Sequence, residues 1–209
     1  MPHLVLLGDA IFDNASYTGG GPCVIEQITA RLPAGWSASL LAVDGDTTSD
    51  VTKQLSGFPT DASHLALSVG GNDALGCMSR LEEPVHTVLE ALATLADIQS
   101  GFARHYGTLL DKLAALKLPL MTCTIYDAVP GLPVPLRAAL SLFNDVILRE
   151  AIRRGLPVLD LRMVCTEPGD YSEDSPFEPS SQGGAKLADR LASTVLHHDF
   201  KRTDCSIGR

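Results

Sequence analysis

No stretch of this chain stays apolar for the ~18 residues that a membrane-crossing helix needs, so no transmembrane helix is predicted. A basic leader with a cleavage site is missing too: the chain enters an apolar run at His3, and no signal peptide is expected. Positive charge is scarce. Sixteen Lys and Arg stand against 25 Asp and Glu, a formal net charge of -9. That balance argues against nucleic acid and against anionic membrane surfaces as partners, because both select basic patches. Cysteines at metal or redox spacing are absent. Cys23, Cys77, Cys123, Cys165 and Cys205 are odd in number, scattered and free of any C-x-x-C pair, so reduced thiols in a cytoplasmic protein are expected. There is no repeat, no low-complexity segment and no linker. A chain of 209 residues, 45% apolar, suits one core, and a single domain over residues 1–209 is expected.

What is present is an alternation of short β runs and helical patterns. Strands are predicted over 3–7, 36–43, 64–69, 118–125 and 156–161. Helices are predicted over 22–32, 47–55, 136–153 and 185–196. The stretch 84–117 also reads as helical, with Val85, Val88, Leu89, Leu92 and Leu95 on one face and a break at Gly101. Such alternation implies parallel βαβ units, hence a three-layer α/β/α sandwich around a five-stranded parallel sheet. The loop 126–135, stiffened by Pro130, Pro133 and Pro135, follows a strand end and is expected to wall a cleft.

In open α/β sheets chemistry collects beyond the carboxyl ends of strands. Three such ends carry informative residues. The first reads Gly8-Asp9-Ala10, the second Asp44-Gly45-Asp46-Thr47-Thr48, and the third Gly70-Gly71-Asn72-Asp73. Taken in this order they resemble the first three blocks of the SGNH hydrolases, also called the GDSL esterases and lipases. The resemblance implies a flavodoxin-like α/β/α fold and hydrolysis of acyl or acetyl esters through an acyl-enzyme. It places the nucleophile position at Ala10. It implies oxyanion donors at Gly45, at Asn72 and at the backbone N–H of residue 10. Asp9, Gly71, Asp73 and Tyr126 fall beside these as expected substrate-binding positions. No cofactor and no metal are implied, and the partner is a small-molecule ester; oligomeric state stays open. The triple glycine Gly19-Gly20-Gly21 lacks the Lys-Ser/Thr ending of a phosphate loop.

The family's last block departs in its letters. Aligned on Pro179, Ser180 and Gly183, the histidine position is Glu178 and the aspartate position is Ser175; Phe177 adjoins them. His3 and His64 lie at the amino ends of strands, and His86, His105, His197 and His198 on helical faces or a charged tail, so none replaces the missing base. Glu178 is the candidate base if burial raises its pKa, with Ser175 to orient it; otherwise it only holds the loop. Ala10 has two explanations: a deliberate Ser→Ala change, preferred because Asp9, Gly45, Gly70 and Asn72 are retained, or a naturally silent relative that binds an acylated molecule. A third reading is a metal-dependent phosphoesterase using Asp9, Asp13 and Asp73.

Overall fold

The computed structural model describes residues 1–201 and the backbone of residues 207–208. Its centre is strand β1 (His3–Gly8), every residue of which is buried. Alternate side chains of a strand point to opposite faces. Leu4 and Leu6 accordingly enter one apolar cluster, and Val5 and Leu7 enter the other. Strands β2 (Ser37–Leu40) and β3 (His64–Ser68) flank β1, and β4 (Leu120–Cys123) and β5 (Val158–Leu159) follow. All pair in parallel, in the order β2-β1-β3-β4-β5. This is the expected five-stranded parallel sheet. A two-residue strand, β6 (Ile207–Gly208), extends it by pairing with β5. Cys205 lies outside the described residues.

Helix α1 (Val24–Arg31) covers one face of the sheet. Two short helices stand at loop corners, α2 (Val51–Gln54) and α3 (Gly71–Gly76), and α4 (Met78–Leu81) follows directly on α3. Helices α5 (Val88–Ala114) and α6 (Val134–Arg154) cover the second face, and α7 (Ser181–His197) closes the first beside α1. The chain therefore has the three-layer architecture its alternation implied. Helix α6 starts at the proline-rich loop and ends at Gly155, whose left-handed φ of 64° closes the helix. No described helix is long and apolar enough to cross a membrane.

One expectation fails on α5. Gly101 does not break it; the helix is continuous for 27 residues. One glycine costs a helix about 1 kcal/mol relative to alanine. The buried face of Phe102, Tyr106, Leu109, Leu110 and Leu113 outweighs that several times over, at roughly 1.5–3 kcal/mol per large apolar side chain. The first turns do not face a core. Val88 and Leu89 are each 77% exposed, and Val85 and Leu92 are also exposed. A 27-residue helix runs roughly 40 Å, whereas a six-residue strand spans about 20 Å. The amino-terminal part therefore overhangs the sheet. The strands are also shorter than predicted: β2 stops at Leu40 and β4 at Cys123, short of the ends of the apolar runs 36–43 and 118–125.

The sheet order has one consequence for function. From β1 the chain crosses outward to β2, and from β2 it returns past β1 to β3. Between β1 and β3 the connections diverge to opposite faces, which opens a crevice beyond their carboxyl ends.

Candidate active site

The loop after β1 is built on a glycine that no other residue can replace. Gly8 has φ of 132°, and a Cβ there would lie 1.7 Å from the Ser68 carbonyl oxygen. Without a side chain, β1 comes close enough to β3 for the Asp9 N–H to donate to that carbonyl at 3.1 Å. Gln54 locks the same corner. Its amide donates to the Gly8 carbonyl (2.7 Å) and to Asp46 (2.8 Å), and its oxygen accepts from the Gly8 N–H (3.0 Å). Ala10 follows, 2% exposed, with its methyl on the wall of a cavity. Its N–H makes no hydrogen bond among the described residues.

That cavity, of ≈130 Å³, lies in the crevice between the two strand ends. Asp9, Ala10, Gly71, Asn72, Tyr126, Phe177 and Glu178 form its polar end. The remainder is apolar, lined by side chains such as Leu75, Met78, Leu95, Val129, Leu132 and Phe143, and holds no Lys, Arg or His. Tyr126, Val129 and Leu132 belong to the proline-rich loop, which therefore does wall the cleft. Leu75 and Phe177 line the cavity and are exposed, so apolar surface continues to the outside.

Asn72 stands in the first turn of α3. One amide hydrogen donates to the Asp46 carbonyl at 3.0 Å, which leaves the second hydrogen of that amide for another acceptor. Glu178 reaches the cavity from the loop before α7. Its backbone is held on both sides: its carbonyl accepts from Ser172 N–H (2.8 Å) and its N–H donates to the Ser175 carbonyl (3.0 Å). Tyr126 adds a hydroxyl that donates to the Phe177 carbonyl at 2.5 Å. The Glu178 carboxyl group itself makes no hydrogen bond or ion pair among the described residues. Ser175 meets Glu178 only through this backbone turn and not through its hydroxyl, so it does not orient the carboxyl in the way expected.

Gly45 and Asp73 also sit elsewhere than expected. Gly45 occupies an exposed turn with φ of 85° and is not part of the cavity wall. Asp73 turns away, accepting from the Thr48 N–H (2.9 Å) and hydroxyl (3.0 Å). It braces the second strand's loop against the third. The metal reading finds no cluster. Asp9 accepts from Ile11 N–H, Asp13 from Asp44 N–H and Asp73 from Thr48. Among the described residues no three His, Cys, Asp or Glu come together as a metal site.

Electrostatics set the polar end apart. Burial pushes the Asp9 carboxyl up to about 8, against the lowering pull of the Ile11 N–H, and the charges of Glu178 and Asp73 raise it further. Burial also lifts Glu178, to about 7, with Asp44 adding to it. Burial thus holds both carboxyls toward the protonated form near neutral pH.

Three residues that sequence reasoning missed hold these pieces together. Asn14, fully buried, accepts from Val24 N–H (2.8 Å) and donates to the Pro179 carbonyl (3.0 Å), so it ties the loop of Ala10 to the loop of Glu178. Gln27 bonds the Pro22 and Ser181 carbonyls, each at 2.8 Å. Gln54 is the third. Of the three only Asn14 follows closely on the Gly8-Asp9-Ala10 corner, and nothing in the local pattern of the two glutamines separates them from ordinary helix residues.

This arrangement is one that comparison can name. Residues 6–186 match the model of the GDSL-like Lipase/Acylhydrolase family, and the chain belongs to that family. Among solved structures it resembles an extracellular lipase from Streptomyces rimosus (TM-score 0.66, 17% identity, 92% of this chain and 99% of that one). It resembles a lipase from a goat rumen metagenome (0.69, 16%, 92% and 96%). A catalytic mutant of an acetylxylan esterase from Geobacillus stearothermophilus is similar as well (0.65, 17%, 96% and 96%). No curated protein matches the sequence.

Proposed function

We propose that the cavity takes an acyl ester, with the acyl chain along its apolar walls and the ester carbonyl at the polar end. The observation that carries this reading is that Ala10, Asn72 and Glu178 all line one mostly apolar cavity at the β1/β3 crevice. The Ala10 N–H and the second Asn72 amide hydrogen are the donors for the carbonyl oxygen, a role in which one donor contributes about 3 kcal/mol to a transition state. Gly45 has no place in this arrangement. Ala10 has no group that attacks a carbonyl, so the acyl-enzyme route of an ester hydrolase is closed in this chain and the site binds its ester.

Replacing Ala10→Ser tests this. The expected result is hydrolysis of p-nitrophenyl acyl esters, with an acyl group captured on residue 10 in mass spectrometry. Failure of both the parent chain and the variant to bind a non-hydrolysable ketone analogue of such an ester would sink the reading.

A specific observation favours the second reading, a natural binding protein. A deliberate knock-out changes one position, yet here the positions of base and orienting acid also differ, as Glu178 and Ser175, and the Ser175 hydroxyl does not engage Glu178. Binding of the analogue together with a silent Ala10→Ser variant supports that reading.

A further inference from the structure

We propose that this chain hydrolyses its bound ester without any covalent intermediate, with the Glu178 carboxylate acting as general base toward a water molecule at the Ala10 methyl. The inference rests on the acyl-ester reading of the cavity and adds a catalytic route to it.

Three observations lead there. Glu178 lines the cavity and its carboxyl has no hydrogen-bond or ion-pair partner among the described residues, while two backbone hydrogen bonds fix the loop that carries it. A carboxylate left without donors in a mostly apolar pocket is a poor structural device; the same group is well placed to accept a proton. The neighbouring wall at Ala10 is a methyl group, and a water molecule beside it replaces the oxygen that serine would have supplied. Finally, the Ala10 N–H and one Asn72 amide hydrogen remain available to an oxyanion. The balance is complete with water as the only co-reactant. The water oxygen attacks the ester carbonyl carbon as its proton passes to Glu178. The carbonyl π pair moves onto oxygen, held by the two donors. On collapse the bond from acyl carbon to alcohol oxygen breaks, and the proton on Glu178 goes to the leaving alcohol. A carboxylic acid and an alcohol leave, and nothing is oxidised or reduced.

The charge arrangement suits this task near neutral pH. The ionisable groups facing Glu178 are Asp9, Asp44, Tyr17 and Tyr126. Tyr17 donates its hydroxyl to Asp44 at 2.6 Å, and Tyr126 donates to a carbonyl, so neither engages Glu178 by hydrogen bonding. Burial raises both carboxyls, Asp9 to about 8 and Glu178 to about 7, so Glu178 supplies a base as the pH rises past neutrality.

The experiment uses the full chain with Ala10 in place, p-nitrophenyl octanoate as substrate and the ketone analogue as binding probe. The expected result is a rate above buffer that rises through pH ~7 as one proton is lost, with no burst and no acyl adduct on the protein. Glu178→Gln is expected to lower that rate about 100-fold while leaving the affinity for the analogue unchanged. Should that variant fail to fold, the pH profile of the unaltered chain decides: a flat rate between pH 6 and 8 overturns the inference. An acylated Glu178 also overturns it, since that makes the carboxylate a nucleophile. Analogue binding without hydrolysis overturns it too and leaves the binding reading standing, whereas loss of analogue binding removes both.

Discussion

The loop after β1 and the loop before α7 face each other across the cavity, and they are built by the same means to different ends. Beside each, a glycine lets backbone approach backbone closely: Gly8 ends β1, and Gly183 lies in the first turn of α7. A Cβ at Gly8 would stand 1.7 Å from the Ser68 carbonyl oxygen, and one at Gly183 would stand 2.1 Å from the Asp170 carbonyl oxygen. Each glycine sits beside a polar anchor: Gln54 of α2, which bonds the Gly8 carbonyl, and Ser180, which caps α7 by accepting from Gly183 N–H. Asn14 joins the two. The difference lies at the tips. The first loop presents an unused backbone N–H at Ala10, and the second presents an unused carboxylate at Glu178. A frame that fixes two tips this firmly tolerates changes of letter at the tips, because the packing that makes the frame does not involve them.

That contrast is breakable. Gly8→Ala and Gly183→Ala should each cost on the order of 3–5 kcal/mol, since the methyl meets backbone and not a movable side chain. Urea unfolding measures this, and a loss under about 1 kcal/mol at either position would show that the loop slides and is not locked.

A second effect concerns chiefly the buried carboxyl beside the first tip. The Asp9 pKa rises from 3.8 unfolded to about 8 folded, so between those values the native state holds a proton the unfolded state has lost. Its contribution to stability is whole below pH ~4 and is lost as the pH rises toward 8, at roughly 1.4 kcal/mol per pH unit. Glu178 acts with the same sign up to about 7. Asp160 and Asp170 are lowered by their Arg162 and Lys186 partners and titrate below 3.8, outside this window. Unfolding free energies measured from pH 4 to 8 should fall, and Asp9→Asn should flatten the slope; an unchanged slope would place the proton elsewhere.

The smallest effect belongs to the second loop. Ser180→Ala should cost about 1 kcal/mol, the value of one helix cap. A much larger loss would mean that the hydroxyl also carries the frame through the Gly169 carbonyl it donates to at 2.6 Å.

Much of the fold was legible before any coordinates. Alternating apolar runs gave the strands, and Gly-rich corners gave their ends, because both follow from local sterics and periodicity. The course of α5 was not legible. Its apolar face continues in sequence past the point where the sheet stops, and only the sheet's extent decides which turns are buried. The site was legible in part. Ala10, Asn72 and Glu178 were recognisable by position, yet Gly45 and Asp73 match their motif and still stand off the cavity wall.

By itself, then, the sequence determined which corners exist and which atoms they offer: a methyl at Ala10, an amide at Asn72 and a carboxylate at Glu178. Only the tertiary structure decided that these corners share one cavity, and that Glu178 arrives there without a partner. The reason is physical. Backbone conformation is set within a few residues, whereas burial and pairing of a charged group depend on chain segments more than a hundred residues apart, brought together by the sheet order and by the buried amide of Asn14.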